Sequence, residues 1–230
     1  MRHHIGIVGV SPEGAALCFR QIYRHAAGNL SPERTPIVTV HNHPVPDYVR
    51  AIHANDWPAV AQLLQRSAVV LAAAGAEFCC TPDNVVQFAI PLAEGTSPIP
   101  WLPITDLVAQ ALERDGRRTV GVIGTKAVTL GSTYQTLLGL KGIQVLAPPE
   151  EDVEAVDQII FRELLFGAVR PTSQERVRRV LCGLADRGCD AIVLACSEAP
   201  LVVTPESCPV PMYDAADLLA QGAVAWAART

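Results

Sequence analysis

The sequence predicts an α/β fold of two pseudo-symmetric halves, each a mainly parallel sheet flanked by helices. Three observations carry this. Short apolar or β-branched runs alternate with helical patterns along the chain. The two halves share one plan. Half of the 230 residues are apolar and only 18% are charged, which suits large cores and argues against disorder.

The strand-like runs are Ile5–Val10, Ile37–His41, Glu77–Thr81, Thr119–Ile123, Ile143–Leu146 and Ala191–Ala195. Helical spacing is clearest in DVEAVDQIIFRELLFG, where Val153, Val156, Ile160 and Leu164 recur every three or four residues until Gly167. Val177, Val180, Leu181 and Leu184 repeat that spacing up to Gly188. Strands separated by helices must run parallel to one another.

Composition excludes several function classes. A net charge of −5 and a pI near 5.7 leave no basic excess for nucleic acid or an anionic membrane. No apolar run approaches the roughly 18 residues of a spanning helix. The opening MRHHIGIVGV reads as a first strand rather than a signal peptide, so the expected location is cytoplasmic. Seven cysteines, an odd number without a CxxC pair, should then be reduced, and most should pack as small hydrophobes.

The internal repeat is the most informative feature. GAEFCCTPDN and GCDAIVLACS both run Gly, small residue, acid, strand, then a polar residue and a helix start. The halves open alike, with IGIVGVS around Gly9 and VGVIGTK around Gly124; Gly9 to Asp83 spans 74 positions and Gly124 to Cys196 spans 72. A linker fits the proline-rich segment Glu94–Asp106. Ligands of open parallel sheets sit beyond the carboxyl ends of the strands. Asp83 and Cys196 are therefore the candidate acid/base pair, addressing one ligand from opposite sides.

Cys196 ends an apolar strand and begins ACSEAP. A helix opened by Ser197 and Glu198 would place the thiol at the positive end of a dipole and favour thiolate. Asn84 after Asp83, and Thr125 after Gly124, stand where short polar side chains and backbone amides hold a carboxylate. Two acid/base groups astride a carboxylate-bearing carbon can move an α-proton from one face to the other.

These residues also resemble a family. VGVIGTKAVTLGSTY, IIFRELLFGAV, GCDAIVLACSEAPLVV and PVPMYDAADLLAQGAV follow the motifs of the aspartate/glutamate racemase superfamily in order and spacing. IGIVGVSPEG, HNHPVPD and the stretch from GAE to Asn84 are similar in the first half. The resemblance implies two Rossmann-like domains, residues 1–105 with 210–230 and residues 106–209, with the active site in the cleft between them. It implies a homodimer, a small carboxylate or amino-acid substrate, and two-base chemistry that needs no pyridoxal phosphate or other cofactor. Cys196 falls on the second catalytic cysteine; Ser11, Asn42, Asn84, Thr125, Ser197 and Glu198 fall among the substrate-binding positions.

Two departures narrow the expectation. The family's first cysteine, in C-N-T-x-H, is Asp83 here, and its Thr and His are Val85 and Gln87. Tyr48 and Phe166 stand where aspartate-specific relatives carry an arginine and a lysine. A pocket without both cations does not compensate the desolvation of a second carboxylate, so the expected substrate has a neutral or apolar side chain.

Other motifs lead elsewhere. GIVGVSPEG lacks the dinucleotide spacing, and its Ser11-Pro12-Glu13 reads as a helix N-cap, with Glu13 at the surface. GVIGTK lacks the full phosphate-loop pattern. His41 and His43 share a strand face without a third ligand, so no metal is expected. Cys18, Cys79, Cys80, Cys182 and Cys189 read as packing; Cys80 replaces the missing first cysteine only if the strand end shifts. The alternatives to a racemase are a one-cysteine decarboxylase or cis–trans isomerase of the same superfamily, or a non-catalytic binding homologue.

Overall fold

A computed structural model describes residues 2–229. The chain divides into two compact units, Met1–Ile104 with Ala216–Thr230, and Thr105–Ala215.

The first unit opens with β1 (His4–Gly9) and α1 (Pro12–Asn29), followed by β2 (Ile37–Asn42), α2 (Val45–His53), α3 (Trp57–Ala73), β3 (Phe78–Cys80) and α4 (Ile90–Glu94). Its three strands are parallel in the order β2-β1-β3. The second unit follows with α5 (Ile104–Arg114), β4 (Thr119–Ile123), α6 (Lys126–Thr129), α7 (Ser132–Leu140), β5 (Gln144–Leu146), α8 (Glu150–Arg162), α9 (Pro171–Asp186), β6 (Ala191–Leu194) and β7 (Met212–Asp214). Its four parallel strands take the order β5-β4-β6-β7. The helix α10 (Ala215–Ala227) carries the chain back into the first unit.

All six expected strands form, each within about two residues of its anticipated ends. β7 is additional, a three-residue strand between Pro211 and the start of α10, held because Ile192, Val193 and Leu194 of β6 pair with Met212, Tyr213 and Asp214. The central strands β1 and β6 are almost wholly buried, as strands covered on both faces must be. One apolar cluster fills the first unit from Val8, Val60, Leu64 and Leu71 to Trp101; another fills the second from Ile123 and Val156 to Leu194.

The shared plan has a structural reason. Gly75 and Gly188 turn the chain from a helix into a strand with φ of 96° and 93°, a conformation that favours glycine. Two positions on, Glu77 Oε1 accepts the backbone N–H of His4 at 3.1 Å. Asp190 Oδ2 likewise accepts Arg118 N–H at 2.8 Å and Thr119 N–H at 3.4 Å. In both units the acid thus fixes the start of the strand that leads to the candidate site. Asp190→Ala should lower the unfolding free energy by about 2 kcal/mol, read in a denaturant titration, because it leaves two strand-end N–H groups without their acceptor.

α1 starts as the sequence indicates: the Ser11 hydroxyl accepts Gly14 N–H at 3.0 Å, with Pro12 in the first turn. Among the described residues no helix is long and apolar enough to cross a membrane.

Candidate active site

In the second unit the site begins at the paired ends of β4 and β6. Ile123 pairs with Leu194, and Ala195 N–H donates to Ile123 O at 2.7 Å. The register therefore carries Gly124 against Ala195 and Thr125 against Cys196. Glycine at 124 permits this, because a Cβ there would lie 2.8 Å from the Ala195 carbonyl oxygen. Gly124 N–H donates to the Thr129 hydroxyl at 3.1 Å, and Lys126 N–H donates to Asp157 Oδ1 at 2.6 Å, which fixes the turn. Thr125 Oγ1 is buried and has no hydrogen-bond partner among the described residues. A buried hydroxyl left in that state is suited to a ligand.

Cys196 is 8% exposed and Glu198 9%. The Cys196 thiol donates to Glu198 Oε2 at 3.1 Å, and the Ser197 hydroxyl donates to the same oxygen at 2.9 Å. Burial, then the Glu198 charge and hydrogen bond, push the thiol well above its ordinary pKa; the N–H groups of Glu198 and Ala199 oppose this and lose. This corrects the expectation of a dipole-stabilised thiolate. The expected helix is only a three-residue 3-10 turn, Ala199–Leu201. The β-branched Val202 and Val203, and Pro205 after them, cut it short, so too little dipole accumulates to compete with burial.

The first unit repeats this layout around Asp83. Ile7 pairs with Cys80, so continuing the register sets Val10 against Asp83. Asp83 Oδ2 accepts Val10 N–H at 3.3 Å and Ser11 N–H at 3.1 Å, at the amino end of the 18-residue α1. Asn84 is buried beside it and donates to Pro82 O at 3.5 Å.

Gln87, at the position of the family's histidine, has a scaffolding role that sequence reasoning missed. Its Nε2 donates to Thr81 O and Asp83 O, both at 3.2 Å, while its Oε1 accepts Ile104 N–H at 3.2 Å. One amide thereby ties the Asp83 loop to Ile104, within the first unit. The signal was present as a glutamine in a position four residues from the acid.

The remaining candidates are less concentrated. Ser11 serves as the α1 cap, and Asn42 lies over Gly9, where a Cβ would come within 2.0 Å of its Oδ1. Tyr48 is fully buried in the apolar core of the first unit, with Ser67 as a polar neighbour; burial pushes its hydroxyl up to about 12. Phe166 is 79% exposed on the 3-10 turn Leu164–Phe166, ahead of Gly167 at φ 68°. Cys80 is fully buried within β3, short of the position in register with Val10. His41 and His43 stack edge-on at 5.0 Å, and His41 Nδ1 meets the Ser67 hydroxyl at 3.0 Å. Among the described residues no group of three His, Cys, Asp or Glu side chains could hold a metal.

Residues 7–223 match the family described as Asp/Glu/hydantoin racemase. The chain belongs to that family. Its members are racemases, a class of isomerase. A candidate Asp/Glu racemase from Yersinia pestis shares 28% identity at a TM-score of 0.92, covering 99% of this chain and 100% of the other. An aspartate racemase homologue from Pyrococcus horikoshii shares 24% identity at a TM-score of 0.88, with 100% of both chains covered. The fold is also that of an arylmalonate decarboxylase, matched in its Gly74Cys mutant at 16% identity and a TM-score of 0.60, covering 97% of this chain and 93% of the other. The two-sheet α/β architecture is thus the family's fold.

Proposed function

We propose that this chain is a cofactor-independent racemase or epimerase of amino acids or related carboxylates, with Cys196 as the proton carrier on one face of the α-carbon and Asp83 on the other. The observation that supports this most is the pair of strand ends in the second unit. A buried thiol and a buried hydroxyl without a partner stand side by side at the carboxyl edge of a parallel sheet.

In this chemistry the Asp83 carboxylate takes the α-proton and the Cys196 thiol gives its own proton to the opposite face. The turnover leaves a protonated Asp83 and a Cys196 thiolate, the form that handles the mirror-image substrate. Thr125, Asn84 and Ser197 hold the substrate carboxylate, where hydrogen bonds to the charge that develops beside the carbanion lower the barrier. The substrate side chain is neutral or apolar, since Tyr48 and Phe166 bring no positive charge. The protein acts in the cytoplasm as a homodimer.

A second reading is favoured by one observation: the Asp83 carboxylate is already engaged by two backbone N–H groups. If that engagement is its whole role, Cys196 acts alone, protonating the carbanion left when a substituted malonate loses carbon dioxide, or adding to a double bond before rotation about it.

Incubating a panel of single-enantiomer amino acids and related carboxylates in heavy water separates these. Deuterium at the α-carbon with loss of optical purity is the result expected of a racemase. Carbon dioxide release supports the decarboxylase, and a panel without exchange counts against the racemase.

A further inference from the structure

We propose that His3 is a proton-operated clasp on the end of α10. Its doubly protonated ring holds Glu77 with one nitrogen and the Arg229 carbonyl with the other, and loss of one proton frees the chain at the end of the helix.

His3 Nδ1 lies 2.8 Å from Glu77 Oε2, and its Nε2 lies 3.1 Å from Arg229 O. A carboxylate and a carbonyl oxygen accept hydrogen bonds and donate none, while a neutral imidazole has a single N–H. Both contacts are therefore hydrogen bonds only when the ring carries two protons. The carboxylate is steadied by its other oxygen, since Glu77 Oε1 accepts His4 N–H at 3.1 Å. Aromatic rings pack around the pair: Trp226 of α10 meets His3 edge-on at 5.9 Å and Phe78 of β3 at 4.2 Å. All of these residues belong to the first unit.

The last carbonyls of a helix find no donor within it and lie at the negative end of its dipole. Two side chains serve the end of α10: Arg34 Nη2 donates to Ala228 O, and His3 Nε2 reaches Arg229 O. A guanidinium stays charged across the working pH range; an imidazole does not. One hold is permanent and the other titrates. Other charged groups of the adjoining elements have partners of their own. His4 Nε2 on β1 meets the Thr39 hydroxyl at 2.8 Å, and Arg2 Nε donates to Glu33 O at 3.2 Å on the 3-10 turn Pro32–Arg34. The Glu33 and Arg229 side chains complete the charged set of those elements. Among the described residues the anion in contact with the ring is Glu77.

The direction follows from the partners. The folded chain holds the second imidazole proton through Glu77 and Arg229, which an unfolded chain does not supply. The stabilisation is therefore present at low pH and is lost as pH rises through the imidazole titration. Its acid limit is the Glu77 carboxyl, which the His3 hydrogen bond holds below the usual carboxylate range. Between those two titrations the clasp is closed. On opening, Nε2 gives its proton to solvent, because the Glu77 charge retains the proton on Nδ1. Arg229 O then faces a lone pair.

Amide hydrogen exchange over residues 224–229 of the full chain, read by mass spectrometry and corrected for the intrinsic pH dependence of exchange, tests the clasp. Protection there should be about fivefold higher near pH 5.5 than near pH 8.5 in the wild type, the size of a partly exposed ion pair. His3→Gln should hold one level of protection at both pH values, the lower one. A wild-type ratio near one overturns the clasp, and so does a His3→Gln chain that keeps the ratio. His25 meets Asp217 at 2.7 Å near the other end of α10, so His25→Gln is the control. It must keep the ratio; its loss would assign the effect to that pair and overturn the role of His3. If circular dichroism shows that His3→Gln does not fold, Glu77→Gln decides. Its loss of protection must come at a lower pH than in the wild type, and an unchanged midpoint overturns the clasp.

Discussion

Cys196→Ser should remove α-proton exchange in heavy water, cutting the rate roughly a thousand-fold, within the range expected for a positioned general acid/base. A serine hydroxyl is close in size and can still donate to Glu198 Oε2, so the hydrogen bond at 3.1 Å and the core around residue 196 have a replacement. The melting temperature should therefore hold while the chemistry fails. A thiol can give up a proton to a carbanion and regain it from solvent; an alcohol is a far weaker acid and its conjugate base is not accessible at neutral pH. Measuring both thermal unfolding and exchange separates this from a folding defect. Retention of most exchange by Cys196→Ser would remove the thiol from the mechanism.

Asp83→Asn should produce a one-sided loss of comparable size. Asparagine keeps an oxygen for the N–H groups of Val10 and Ser11, so the junction of β1 and α1 is conserved. It does not accept a proton. Exchange should collapse for the enantiomer whose α-proton meets residue 83 and persist for the one met by Cys196. Equal loss from both enantiomers would contradict a one-face role for Asp83. Full activity in both directions would leave it as a clamp on the two N–H groups and favour the single-thiol chemistry.

The sequence carried the sheets well because their signals are local. Val120, Val122 and Ile123 form a buried run, and the glycines at 75 and 188 mark turns by a conformation that few other residues take. β7 was missed because three residues flanked by Pro209 and Pro211 carry too little periodicity; only its pairing with β6 makes it a strand. The misreading at Cys196 had a different origin. Ser197 and Glu198 are good helix openers, but Val202, Val203 and Pro205 permit only a short 3-10 turn. The same Glu198 that would have favoured a helix start instead turns toward the thiol. Spacing shows that two residues are near in the chain, and not which way a side chain folds back. For the same reason Tyr48 was legible as a departure from a pattern but not as a core residue, since its burial depends on how the helices and strands of the first unit pack together. The acids Glu77 and Asp190 were legible as members of a repeat, while their hydrogen bonds to strand-end amides required the neighbouring strand to be placed.

The most direct measurement of the central claim is a single-enantiomer reaction in heavy water, stopped early, with recovered substrate and product analysed separately for α-deuterium. Two different groups working on two faces predict deuterium in the product and little in the recovered substrate, because the group that removes the proton is not the one that returns it. Equal labelling of substrate and product, or label in neither, would contradict proton transfer shared between Cys196 and Asp83.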